Sequence, residues 1–276
     1  MLLWLISLVD SVYVRVLNVS RNSYINGEIK VEISGFFKDG SEVFDTVIIK
    51  GEGWIKVPKG PHVIGLTALY GGERFPSQPI ILSDTSTVIT IDVYDVSADS
   101  SNLTIKSHSI GIFKERGIYH VVELLSIKND GKNAFRGPLM SVELPKKSER
   151  FNITGGEEDY FVKDNRVVLT PLILPGEGSF GYDYLVLEDY FKITRKGASE
   201  YKIFADTGIK IRVKNGLFEG QRDFEGQKFN VWKSVGKVEL EVGHNPLFEE
   251  IRYYILAAVV IIVVLVLGII FYRLRR

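Results

Sequence analysis

Residues 27–37 read GEIKVEISGFF. In an extended chain Ile29, Val31 and Ile33 point to one side, and Lys30, Glu32 and Ser34 point to the other. That period of two is the signature of a half-buried strand and is wrong for a helix. KDGS (38–41) follows, and Asp-Gly tolerates the positive φ of a tight turn, so EVFDTVIIK (42–50) is expected to return as the second arm of a hairpin.

The pattern extends in both directions. VYVRVLNV (12–19) alternates in the same way, and GEGWIKVPKGPHVIGLTALYGG (51–72), QPIIL (78–82) and STVITIDVYDV (86–96) continue it. About seven strands with turns every 8 to 12 residues predict a β-sandwich over 12–97. SADSSN (97–102) is small and polar, and 98–102 reads as a linker. Strands resume at Leu103 and run to about 244, predicting a second, larger β-sandwich. The fold class expected is therefore mainly β, with two tandem sandwiches and one C-terminal transmembrane α-helix.

That helix is read from RYYILAAVVIIVVLVLGIIFYRLRR (252–276). Ile255 to Phe271 carries no charged side chain. With the flanking tyrosines, 253–272 is about 30 Å long as a helix, enough to cross the hydrocarbon core. Tyr253, Tyr254 and Tyr272 fall where an interfacial aromatic belt belongs, and Arg273, Arg275 and Arg276 make 273–276 a basic cytoplasmic tail. MLLWLISLVDS (1–11) has the short apolar run of an export signal. Together these predict a single-pass protein of the cell membrane with its C-terminus inside and its domains outside the cytoplasm. Asn18, Asn102 and Asn152 each open an Asn-x-Ser/Thr acceptor, which suits that location.

Composition narrows the function classes. The 34 basic residues balance 34 acidic ones, so the basic footprint of a nucleic-acid binder is missing. There is no cysteine, which excludes disulfides, thiolate catalysis and cysteine zinc sites.

The stretch GWIKVPKGPHVIGLTAL (53–69) carries a family resemblance. Gly53, Trp54, Ile55, Val57, Pro58, Gly60, His62, Val63 and Leu66 follow the spacing of the carboxypeptidase regulatory-like domain, a transthyretin-like (prealbumin-like) sandwich. The resemblance covers roughly 27–95, and it implies a supporting or binding module rather than an enzyme. The zinc ligands of true carboxypeptidases have no counterpart. The region from 103 resembles Ig-like sandwiches of prokaryotic surface proteins.

Candidate chemistry is sparse. A two-residue turn at Glu115-Arg116 would set His108 opposite Glu123 and His120 opposite Gly111, on opposite sheet faces. A three-residue turn would put both rings on one face about 13 Å apart. Neither arrangement makes a metal site, and both histidines are expected to be exposed or at a core edge. GEGSFG (176–181) lacks a nucleophile-elbow context around Ser179 and reads as a hairpin turn. Glu157, Glu158 and Asp159 cluster on a loop without the spacing of a calcium site. Trp54 alternates with Lys56 and is the one ligand-binding candidate, as part of an aromatic platform with Tyr70 and Phe75 that would stack on sugar rings. No catalytic residue, metal ligand or cofactor is expected. The partners expected are the bilayer, other envelope proteins and, as an alternative, a glycan.

Overall fold

The computed structural model describes residues 11–37, 40–57, 63–81, 88–153, 159–163, 166–224 and 226–243. The export segment, the Pro58–His62 turn with Gly60, the Glu157–Glu158 loop, His244, the 253–272 stretch and the basic tail lie outside them, apart from Ser11. The described chain is mainly β with several sheets, and no helix in it is long and apolar enough to cross a membrane.

Two compact units emerge, and neither is continuous in sequence. Unit 1 comprises 1–103, 129–137 and 172–176, and unit 2 the remainder. Two short segments from beyond residue 103 thus belong with the first unit, where the sequence reading places a single break at 98–102.

Unit 1 begins with β1 (Ser11–Asn18), β2 (Ser23–Tyr24), β3 (Glu28–Phe37), β4 (Gly40–Lys50) and β5 (Glu52–Lys56). It continues through β6 (Val63–Tyr70), β7 (Glu73–Pro76), β8 (Ile80–Ile81), β9 (Val88–Val93) and β10 (Val96–Ser97). The opening stretch forms the β3–β4 hairpin, Ile29 opposite Ile49 and Val31 opposite Val47. A nine-stranded sheet holds β1–β9, with β9 parallel to β1 along Tyr13 to Asn18. The alternation does what it predicts: Val12, Val14, Val16, Ile29, Val31, Ile33, Ile64, Leu66 and Ile91 line the core. Ala134 joins that core and Leu172 packs against it, which is how 129–137 and 172–176 come to belong here. Gly51 is needed where β4 passes into β5. Its φ is +72°, and a Cβ there would lie 1.6 Å from the Ile25 carbonyl oxygen.

After residue 102 follow β11 (Leu103–Glu115), β12 (Ile118–Asn129), β13 (Ala134–Arg136), β14 (Met140–Glu143), β15 (Ser148–Ile153), β16 (Tyr160–Lys163) and β17 (Arg166–Leu169). After them come β18 (Leu172–Ile173), β19 (Gly176–Val186), β20 (Tyr190–Asp206), β21 (Ile211–Phe224) and β22 (Gln227–Gly243). β13 pairs with β10 in unit 1, and β18 pairs with β13. Unit 2 has a seven-stranded sheet ordered β15-β19-β12-β11-β20-β22-β21 and a three-stranded sheet ordered β14-β17-β16. β-Sandwich character is therefore present, with inner faces of Ile110, Ile112, Val121, Leu125, Ile193, Ile203 and Leu240.

Two local expectations are corrected. The β11–β12 turn is Arg116-Gly117, one residue later than expected, because both sit at positive φ (+49° and +87°) and glycine accepts the second without strain. GEGSFG is not a turn: residues 176–181 open β19, and Ser179 is an exposed strand residue.

Candidate functional site

The densest polar constellation lies inside unit 2. It grows from inward positions of neighbouring strands: His108 on β11, Glu123 on β12, and Tyr182 and Tyr184 on β19. Arg195, on β20, completes it from just before a bulge at 196–200. Glu123 accepts from Arg195 Nη2 at 2.6 Å, Arg195 Nε at 2.9 Å, Tyr182 Oη at 2.7 Å and Tyr184 Oη at 2.9 Å. The guanidinium also donates to the Glu143 and Thr194 carbonyls. His108 Nε2 lies 2.7 Å from Glu123 Oε2 but is out of line for a straight hydrogen bond. The His108 ring packs 5.5 Å from that of Tyr201.

The electrostatics are closed. Burial alone would raise the Glu123 carboxyl, but the Arg195 charge and the His108 contact outweigh it and hold it well below the usual carboxylate range. Burial and the adjacent Glu123 charge drive the Tyr182 and Tyr184 hydroxyls well above the usual tyrosine value. Burial would lower Arg195, and Glu123 overrides that and keeps it charged. With Glu123 and Arg195 side chains 0% and 1% exposed, no substrate reaches either group. The contacts link β12, β19 and β20 through groups that solvent does not reach.

His108 is thus fully buried, against the expectation of an exposed or core-edge ring. The sequence reading set His108 directly opposite Glu123 through a turn at Glu115-Arg116; with the turn one residue later the two stay on one face and meet diagonally. His120 is on the other face, as that turn requires, 3.3 Å from Asp183 Oδ2. Among the described residues no group of three His, Asp or Glu side chains is placed to hold a metal ion.

The aromatic platform assembles differently from expectation. Phe75 is in the core at 1% exposure, because the inward position in β7 buries it. Tyr70 turns its hydroxyl to Asp95 at 3.0 Å and accepts from Asn18 Nδ2 at 2.9 Å. Neither joins Trp54, which stands 61% exposed on the outer face of β5. Its cross-strand partner is Tyr13, with ring centroids 5.2 Å apart and planes at 64°, edge to face rather than coplanar. Two positions further along β1, Arg15 lies over the rings of Tyr13 and Tyr24 at 5.5 and 5.9 Å and pairs with Glu52 at 3.1 Å. The outer surface of β5, β1 and β2 thus presents a row of Trp54, Tyr13, Arg15 with Glu52, and Tyr24. Cross-strand pairing in β1, absent from any local pattern, is what selects Tyr13 and Tyr24 over Tyr70 and Phe75.

The Asn-x-Ser/Thr acceptors also separate. Asn18 is completely buried, its amide spent on Tyr70 and Asp95, while Asn102 and Asn152 are exposed.

No family model matches the chain, and no curated protein matches it. Among solved structures, the chain resembles an M1 zinc metallopeptidase from Deinococcus radiodurans at 13% identity and a TM-score of 0.32, over 53% of this chain and 43% of that one. A mutant two-domain M1 zinc metallopeptidase bound to L-arginine gives 13% identity and a TM-score of 0.31, over 51% and 42%. The chain spans less than half the length of either protein, and likenesses at this level carry no inference about what it does.

Proposed function

We propose that this chain is a membrane-anchored binding or scaffolding protein, its β units outside the cytoplasm and engaged with other envelope proteins, without catalysis of its own. The observation that carries this reading is the closed Glu123–Arg195 cluster. The Glu123 carboxylate, the Arg195 guanidinium and the Tyr182 and Tyr184 hydroxyls are sealed from solvent, while unit 1 presents the Trp54 row and unit 2 an apolar groove on their outer faces. The anchor is read from 253–272 and its orientation from the arginines that follow. Unit 1 is read as a regulatory-like domain, supported by the burial of Ile55 and Val57 against the exposure of Trp54. Protease added to intact cells stripped of any outer layer tests the placement. Both units should be digested to a small membrane stub, and full protection until lysis would overturn it.

A second reading, glycan binding, is favoured by the exposed Trp54. A sugar ring stacks on an exposed aromatic face, and Arg15 and Glu52 nearby supply a donor and an acceptor for its hydroxyls. An enzyme in unit 2 would need carboxylates converging in a pocket. The apolar groove of unit 2 holds Asp223 alone of that type, and its Oδ1 accepts from the Gly226 amide.

A further inference from the structure

Asn-Gly occurs twice in the sequence, at Asn26-Gly27 and Asn215-Gly216. The dipeptide has a chemistry of its own. The backbone nitrogen that follows an asparagine attacks the asparagine side-chain carbonyl. Glycine favours this attack, because no Cβ shields its nitrogen or restricts its φ and ψ. In sequence the two sites are equivalent, and the fold separates them.

Asn26 and Gly27 lie in the connection from β2 to β3, and both are exposed. Upstream the chain is pinned: the Ile25 amide donates to the Val16 carbonyl at 3.0 Å, and the Ile25 carbonyl packs against Gly51. Downstream it is open. A Cβ at Gly27 would have no neighbour within 4 Å, and the Gly27 amide makes no hydrogen bond among the described residues. The attacking nitrogen is therefore free, and the asparagine side chain it would reach is in water.

Asn215-Gly216 is held in the β21–β22 ladder instead. Gly216 pairs with Ser234, and the Asn215 carbonyl accepts from Ser234 Oγ at 2.9 Å. A Cβ at Gly216 would lie 2.4 Å from Val213 Cγ1, so the backbone there is crowded. Swinging the Gly216 nitrogen toward the Asn215 side chain requires the ladder to open locally first.

We propose that Asn26 is a site of spontaneous covalent modification, converted to aspartate and isoaspartate, while the fold protects Asn215. The deprotonated Gly27 nitrogen bonds to Asn26 Cγ. The bond from Cγ to Nδ2 breaks, and that nitrogen takes a proton from water and leaves as ammonia. The product is a five-membered succinimide, which water opens. Breaking the bond from the ring nitrogen to the side-chain carbonyl gives aspartate, and breaking the bond to the main-chain carbonyl gives isoaspartate. Either product gives the formally neutral chain one negative charge, next to Glu28 and close in sequence to Tyr24 at the end of the Trp54 row. The site depends on neither the scaffold nor the glycan reading.

The test incubates the full chain, in detergent micelles and mildly alkaline buffer, with and without urea above the unfolding midpoint. Peptide mapping, with a fragmentation that distinguishes aspartate from isoaspartate, follows each asparagine. In the folded protein Asn26 should convert at least about fivefold faster than Asn215, the factor that opening one backbone hydrogen bond supplies. In urea the two rates should converge. Gly27 is not left-handed and has open space around it, so Gly27→Ala should keep the circular dichroism unchanged. It should slow conversion of Asn26 about fivefold or more. An Asn26 that converts no faster than Asn215 in the folded protein would overturn the proposal. So would a gap that persists in urea, aspartate formed without isoaspartate, or a Gly27→Ala variant that converts as fast as the parent.

Discussion

Arg195 Nη2 lies 2.6 Å from Glu123 Oε1 in the interior of unit 2, with both side chains essentially inaccessible. Two full charges removed from water are each costly, and only their mutual attraction and the surrounding donors offset that cost. The pair is therefore asymmetric: intact it contributes modestly, and halved it leaves a bare buried charge.

Arg195→Met is accordingly expected to destabilise unit 2 by about 3–5 kcal/mol, read as a fall in urea midpoint. Glu123→Gln should cost a similar amount by stranding Arg195. The combined Glu123→Leu and Arg195→Met change should recover part of the loss. A double variant as unstable as the sum of the single ones would show that the pair is not coupled in this way.

The same cluster sets the pH response. The folded Glu123 value lies below its unfolded one, so its contribution is complete above about pH 4.3 and is lost as pH falls from there through the folded value. Tyr182 and Tyr184 are shifted upward, so theirs is complete below about pH 10 and is lost as pH rises through the folded values. Thermal melts should fall off at both extremes. Tyr184→Phe should flatten the alkaline limb while costing stability at neutral pH by removing a donor to Glu123.

How much of this was legible in the sequence follows from what alternation can carry. Phe191, Ile193 and Arg195 share one side of β20, and Val121, Glu123 and Leu125 one side of β12. Two opposite charges at inward positions are therefore visible in the pattern as a buried pair awaiting partners. That they meet was not visible, because strand order across β12, β11 and β20 is non-local. The same limit explains why 129–137 and 172–176 return to unit 1: their contacts with β10 and the first core are made across long sequence separations. Local periodicity does place Trp54 outside and Ile55 inside, and it cannot choose which aromatics stand beside Trp54.

Glycosylation gives a simple check on burial. In an N-glycosylating host that exports the protein, glycan should be found at Asn102 or Asn152 and not at Asn18. Peptide mapping showing occupied Asn18 would contradict the Asn18–Tyr70–Asp95 network.

Gly51→Ala should destabilise unit 1 by roughly 2–4 kcal/mol, because the backbone is left-handed there and the added Cβ meets a carbonyl oxygen. Trp54→Ala, on the outer face, should cost about 1 kcal/mol or less, the edge-to-face contact with Tyr13 being its main loss. If the glycan reading holds, that mild variant abolishes retention on immobilised cell-surface polysaccharide.

The central claim is that the units bind envelope partners in the membrane plane and do not act as a freely acting enzyme. Confinement to a thin layer raises effective concentration and strengthens weak contacts by about 10² to 10⁴ without new interface. The direct measurement is a quantitative pull-down from native membranes under mild detergent, comparing at equal amounts the full chain and a chain truncated after Gly243. The account predicts that the full chain retains its envelope partners while the truncated chain, folded by circular dichroism, retains them weakly. Equal recovery by the truncated chain, or turnover of a substrate by it alone, would contradict the account.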